Sequence, residues 1–330
     1  MNIGGKQRLE WIDALRGLAM LLVIYGHQVT SSEFPTFFRL TNPVKMPLFF
    51  AITGFVFNIK GGEVIPFFRN LFIKIIIPWL CLSCIPILIN APFEPIQNLL
   101  EKFLEILSGK RVWFMPCIIV AEILHFFVRK FSKKPYHVVL ISVLLTIVGF
   151  LCAKCNILNY AMVNRALIVQ VFIAFGYIVK TYQNKIFSMR WSWIICISIV
   201  YLALTISNRL FFHYPLDIHI NCYSNIPYNF LQIFCGLFMC FLLFSKILHA
   251  PRWLVFIGQN TLIYYIWQGY CLALFSAVLS LFGLSYTTTP LTGIINTIVI
   301  CIGCFVFSVL VNRYAPFLVG KKKRTVRESV

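Results

Sequence analysis

The chain has 330 residues, 60% of them hydrophobic and 33 of them Phe, with a mean hydropathy of +0.84 and a formal net charge of +19. A water-soluble domain of that length has no interior large enough for so much apolar surface, so composition excludes an ordinary soluble protein and indicates membrane spans. The charge does not indicate nucleic acid, because Lys and Arg gather on alternate short connections between apolar runs.

In chain order, apolar runs predict spans at 12–30, 44–59, 71–89, 112–128, 136–153, 163–179, 191–207, 228–245, 260–280 and 291–311. The expected fold is therefore all-α and integral to the membrane: a single bundle of about ten transmembrane helices. The basic connections place both termini on the cytoplasmic side. Residues 1–312 form the expected transmembrane domain and 313–330 a basic tail suited to anionic headgroups. Lys6 and Arg8 precede the first run, which continues without a small-residue cleavage site. It reads as a retained span instead of a signal peptide.

The first run, DALRGLAMLLVIYGHQ, carries Arg16 and His27. Eleven residues turn a helix through three full turns plus about 20°, so the two share a face about 16 Å apart along the axis. Asp13 lies near that face one turn before Arg16. Ionisable groups inside a span are costly and usually functional. Arg16 reads either as a helix-end ion pair with Asp13, its head snorkelling to the interface, or as a guanidinium shaped to hold phosphate or diphosphate. His27 reads either as an imidazole in a polar seam or as a neutral base that removes a proton from a hydroxyl attacking a thioester. Tyr25 and Gln28 point to other faces. With no G-x-S-x-G elbow and no clear Ser or Cys nucleophile, direct transfer is simpler than a covalent enzyme intermediate.

Further along, Pro78-Trp79 and Trp113-Phe114-Met115-Pro116 punctuate span ends. The 90–111 connection has the apolar spacing of a short interfacial amphipathic helix. Trp113 is a candidate stacking surface for an acceptor or a packing residue. Glu122, alone in CIIVAEILHFF, invites a buried Arg from another helix or a substrate contact. Arg165, opening the sixth run, reads as an interfacial anchor or as a contact for a sugar hydroxyl or anionic glycan. The 208–227 connection holds two His, one Asp, two Pro and several aromatics. It fits a lip over a pocket or an aromatic belt equally well. Twelve Cys fall mostly within apolar runs as small hydrophobes, and neither Cys81-x-x-Cys84 nor Cys301-x-x-Cys304 has nearby metal ligands, so no metal is expected.

Several segments, taken in order, resemble the membrane acyltransferase-3 family, whose members often O-acetylate cell-surface glycans. The strongest is R-x10-H, matched by Arg16 and His27 within RLEWIDALRGLAMLLVIYGH. PLFFAITGFVF at 47–57, RVWFMP at 111–116, FIAFGYIVK at 172–180 and IGQNTLIYYIWQ at 257–268 resemble its aromatic helix, its W-F-x-P segment, its Phe/Gly helix end and its late G-x-x-S…H segment. Gln268 stands where that late segment commonly ends in His, and Thr261 where Ser is usual. Gln cannot titrate as a base, which leaves catalysis to His27 and acceptor positioning to Gln268.

The resemblance implies acetyl-CoA as acyl-donor co-substrate, its nucleotide end near Arg69 or Lys74, and a glycan or lipid-linked glycan as acceptor. It implies a multi-pass protein of the bacterial cytoplasmic membrane in contact with lipid, while the charge distribution argues against a nucleic-acid partner and a self-sufficient ten-helix bundle suits a monomer. A saccharide or anion transporter, and a catalytically idle acyl-CoA-binding membrane protein, stay open beside it. The absence of an internal repeat weighs against the first.

Overall fold

In the computed structural model the described residues are 9–29, 32, 34–58, 63–90, 92, 95–132, 134–211, 217–247, 249–283 and 289–321. They are almost entirely helical: α1 (Glu10–Gln28), α2 (Pro35–Val56), α3 (Val64–Leu71), a π-helical turn (Phe72–Ile76), α4 (Ile77–Asn90), α5 (Ile96–Ser108), α6 (Phe114–Phe131), α7 (Pro135–Lys154), α8 (Val163–Ile168), α9 (Gln170–Thr181), α10 (Gln183–Phe187), α11 (Trp191–Phe211), α12 (Ile226–Ser245), α13 (Arg252–Gln259), α14 (Thr261–Leu281) and α15 (Pro290–Tyr314). The 90–111 connection does contain a helix, α5. The only pairing outside helices among these residues is an antiparallel bridge between Asp217 and Cys222.

The expectation of about ten transmembrane helices is not met. Among the described residues six helices are long and apolar enough to cross a membrane: Val64–Ile89, Pro135–Lys154, Trp191–Asn208, Ile226–Ser245, Thr261–Leu281 and Pro290–Tyr314. A seventh counts only if Tyr160–Ile168 and Gln170–Thr181, bent by 50°, form one broken span. The other three expected runs are helices, but polar ones. α1 carries Glu10, Asp13, Arg16 and His27, α2 carries Arg39, Lys45 and two internal prolines, and α6 carries Glu122, Arg129 and Lys130. The expected cytoplasmic placement of both ends, with most of the basic tail, falls on residues 1–8 and 322–330, outside the described residues.

Burial explains the division. The long apolar helices expose rows at one-face spacing, such as Leu140, Leu144, Ile147 and Leu151 on α7, and Ile295, Ile298, Ile302 and Phe305 on α15. Lipid is the natural solvent for those rows. α1 is instead enclosed, with ten of its nineteen residues buried, packed against α2, α12, α13, α14 and α15. An enclosed helix can face protein and cavity with polar groups that lipid would not tolerate.

Two crossings bring backbones into contact through small residues, the usual device where lipid supplies no hydrophobic drive. A methyl added at Gly176 of α9 would lie 1.7 Å from the Ala51 carbonyl oxygen of α2, and one at Gly258 of α13 would lie 1.7 Å from the Asp13 carbonyl oxygen of α1. Both neighbours are backbone and cannot swing away. Breaks in the helices are likewise answered locally. Pro43 lacks the N–H that would bond the Arg39 carbonyl, and buried Gln232 donates to that carbonyl at 3.4 Å. At the α8–α9 bend, Gln170 donates to the Ala166 and Ala121 carbonyls at 3.1 and 3.0 Å, and Thr146 to the Ile168 carbonyl at 3.1 Å.

Gly176→Ala and Gly258→Ala should each destabilise the detergent-solubilised protein by roughly 3 kcal/mol or more, since overpacking against backbone cannot relax. Gly269→Ala, with open space around the glycine, should leave the thermal unfolding midpoint unchanged or slightly raised. A midpoint for Gly176→Ala equal to that of the parent would contradict a backbone-to-backbone crossing of α2 and α9.

Candidate functional site

The polar face of α1 floors a row of cavities. Arg16 and Met20 line one of about 280 Å³, and Val23 and His27 line the next, of about 510 Å³. The spacing of these four, at i, i+4, i+7 and i+11, is that of a single helix face. The two cavities adjoin, sharing Met46 of α2 and Tyr265 of α14 in their walls. A smaller one of about 220 Å³ shares His27, Lys45, Met46, Trp113, Asp217 and His219 with the second. Another of about 500 Å³, lined by Glu122, shares Thr53, Lys74 and Ile75 with the first.

Arg16 is fixed at its own end of the row. Its Nη1 lies 3.6 Å from Asp13 Oδ1, and Asp13 is buried, its Oδ2 accepting from Gln259 Nε2 at 3.2 Å. The carboxylate thus ties α1 to α13 and aims the guanidinium. Lys74, exposed within the π-helical turn, lines both cavities at this end. Pro78 lacks the N–H that would bond the Lys74 carbonyl, and such widened turns often mark functional sites. Arg16 also acts electrostatically on the Glu122 carboxyl of α6. Arg69 is exposed on α3.

At the other end, His27 opens into the chamber it shares with Trp113, Gln268 and Lys45. Gln268 Nε2 donates to the Tyr265 carbonyl at 3.1 Å, and its Oε1 is buried without a hydrogen-bond partner among the described residues. It therefore keeps acceptor capacity within a cavity wall. Pro43 and Pro47 interrupt α2 on either side of Lys45 and Met46, where they line the chamber.

The 217–222 hairpin closes the chamber. Asp217 and Cys222 exchange backbone hydrogen bonds at 2.9 and 3.0 Å, and Asp217 Oδ1 accepts from the His219 N–H at 2.8 Å. The His219 ring stacks on Trp113, centroids 5.3 Å apart and planes 26° apart. Burial lowers the His219 pKa from the ordinary histidine value, Arg165 pushes the same way, and Asp217 opposes them. Arg165 anchors the hairpin. It is buried, and its Nε donates to the His219 carbonyl at 3.0 Å while Nη1 donates to Asn164 Oδ1 at 3.0 Å and Asn159 Oδ1 at 3.3 Å.

The structure thus gathers His27, Trp113 and Gln268 at one chamber and Arg16, Lys74 and Glu122 along the cavities at the other end. It sets Arg165 behind the hairpin and leaves Arg69 on an exposed face. Lys45, Asp217, His219, Met46 and Tyr265 also line the site. Lys45 looks like one more connection charge in the sequence. Asp217 and His219 sit in the connection whose composition fits a lip, and His213 of that segment lies outside the described residues.

A family model described as an acyltransferase domain matches residues 9–313. No curated protein and no solved structure matches the chain.

Removing Arg165 should release the hairpin without touching the cavity floor. Three guanidinium hydrogen bonds are lost, each worth roughly 1.5–3 kcal/mol. Cys222 in Arg165→Ala should therefore react with a maleimide at least about tenfold faster than in the parent, read by peptide mass spectrometry. Equal rates would mean that the hairpin is held by something else.

Proposed function

The chain belongs to this membrane acyltransferase-3 family, and on that premise we propose that it transfers acetyl from acetyl-CoA to a hydroxyl of a cell-surface glycan or its lipid-linked precursor. Membership and a multi-span all-α fold make it a membrane acyltransferase in general terms. The donor, the acceptor, action in the bacterial cytoplasmic membrane and function as a monomer belong to the proposal. So does the division into an acyltransferase domain, 1–312, and a basic tail, 313–330, resting on lipid headgroups.

One observation carries this reading: adjoining cavities run along a single face of α1 with a guanidinium at one end and an imidazole at the other. The helical separation of about 16 Å suits a pantetheine arm. Phosphates of the donor would sit at Arg16 and Lys74, with Arg69 available to the nucleotide end. Asp13 keeps Arg16 aimed, and Glu122 faces the same end of the route. The arm would pass the apolar lining of Met20, Met46, Phe49 and Tyr265.

At His27 the chemistry needs one base. A neutral imidazole accepts the proton of the acceptor hydroxyl as its oxygen bonds to the thioester carbonyl carbon. The tetrahedral adduct collapses with cleavage of the C–S bond, and the proton passes from His27 to the departing sulfur. An ester and free CoA result, and His27 is neutral again. Gln268 would orient the acceptor hydroxyl through its free Oε1, and Trp113 would form a wall of the acceptor space. No covalent enzyme intermediate is required.

His27→Ala should retain acetyl-CoA binding but lose ~10²–10⁴-fold in turnover, the usual range for a general base. Arg16→Ala should instead weaken donor binding by roughly tenfold or more, having lost a charge-assisted phosphate contact. Arg16→Lys should recover part of that loss, because it keeps the charge without the fork. Isothermal titration with acetyl-CoA and transfer of radioactive acetate to a panel of glycan acceptors separate the two effects. Near-parental turnover by His27→Ala would remove it as the base, and parental donor affinity in Arg16→Ala would move the phosphate site to another helix.

A further inference from the structure

The chamber at His27 carries more positive charge than acyl transfer to a neutral hydroxyl requires. Its walls include Lys45, Lys110 and Arg111, against one described carboxylate, Asp217. Lys110 and Arg111 are exposed, and Arg111 shares its charge with Glu105, Nε to Oε2 at 3.0 Å. Lys45 is different, because it stands inside. Its Nζ lies 5.4 Å from the centroid of the Phe38 ring, and a methyl at Gly26 would be only 3.0 Å from it. Gly26 adjoins His27 in the chain, and Lys45 and His27 line the same two cavities.

Lys45 forms no ion pair among the described residues. Asp217 acts on it electrostatically but spends Oδ1 on the His219 N–H. Arg165, which the sequence offers as an anion contact, is committed to the hairpin. An ammonium in a partly enclosed apolar setting, without a close carboxylate, is costly unless a ligand brings one. The exposed cations in the same walls would draw an anion towards it.

We propose that the chamber takes an acceptor saccharide bearing an anionic group, a carboxylate or a phosphate, close to the hydroxyl that is acylated, and that Lys45 is the contact selecting it. The placement of the hydroxyl at His27 rests on the acyltransferase reading above, whereas the anion contact does not need it. Were Lys45 instead to face the developing oxyanion of the thioester, its loss would slow transfer to every acceptor alike and leave acceptor affinity unchanged.

The test measures binding apart from turnover. Trigalacturonate and its neutral trimethyl ester, and mannose 6-phosphate and mannose, are titrated against the protein in nanodiscs by saturation-transfer NMR. In the parent, at least one anionic form should bind about tenfold or more tightly than its neutral partner, the effect of one charge-assisted hydrogen bond. The pair with the larger gap tells carboxylate from phosphate. Lys45→Gln should abolish the preference and Lys45→Arg should keep most of it, neither with a lowered unfolding midpoint. If Lys45→Gln does not fold, loss of the parent's preference in Lys45→Met together with its retention in Lys45→Arg supports the proposal, and its survival in Lys45→Met overturns it. Equal binding within both pairs, no binding of any of the four, or a preference that survives Lys45→Gln overturns the proposal. Transfer of radioactive acetate is followed separately. Anion preference without any transfer would defeat the acyltransferase reading and leave the anion site standing, while transfer without preference would do the reverse.

Discussion

An apolar bundle cannot surround a row of ionisable groups on one helix without giving them somewhere to be, and much else in this protein follows from that. Arg16 and His27 share a face of α1, and lipid would not accept them. α1 is accordingly enclosed, and its polar face looks onto cavities instead of side chains. Asp13 then does two things with one carboxylate. It neutralises part of the Arg16 charge, and through Gln259 it ties α1 to α13, where Gly258 lets the two backbones touch.

The second chamber depends on elements far apart in sequence. α2 supplies Lys45 and Met46 at a place where two prolines loosen its hydrogen-bond ladder, and α12 repairs the ladder through Gln232. The connection between α11 and α12 supplies Asp217 and His219. A short hairpin in a connection between helices has little packing of its own, so its position is borrowed. Trp113 holds the His219 ring from one side, and the buried guanidinium of Arg165 holds the backbone. Arg165 is therefore a positioning residue at one remove from the chamber, which explains how an arginine can be buried there with no carboxylate paired to it among the described residues. Its donors are matched by amide and carbonyl oxygens.

Helical periodicity is legible in the sequence where it concerns one element. The common face of Arg16 and His27 follows from eleven residues at 100° each, and the cavities do run along it. Most helices also lie where apolar runs place them. The number of membrane-competent helices is not legible, because apolar length alone does not separate a lipid-facing helix from an enclosed one. α1, α2 and α6 have the length but owe their tolerance of charge to neighbours that a hydropathy window does not see. The chamber is half legible for a related reason. Gln268 and Trp113 lie in segments with a recognisable pattern, whereas Lys45 and His219 gain meaning only once α2 and the hairpin close on His27. Arg165 stands out in the sequence as a charge opening an apolar run. Whether it faces a ligand or its own chain depends on Asn159, Asn164 and the His219 carbonyl, contacts that spacing cannot reveal.

Two cationic centres in one low-dielectric bundle raise the question of mutual repulsion. Arg16 and Lys45 line opposite ends of that row of cavities, and even at about 16 Å, the rise of the α1 face, two unit charges would repel by only on the order of 1 kcal/mol at an effective dielectric of about 20. That is small beside the gain either centre makes when it meets an anion. Between them the cavity lining is apolar, with Met20, Met46, Phe49 and Tyr265, and gives a charged group no reason to rest there. The donor proposed above, with a charged head and a long, weakly polar arm, would meet a cation, then an apolar lining, then an imidazole along that face. On that proposal the order of environments along α1, more than any single residue, is what would admit a carrier that holds its reactive group far from its charge.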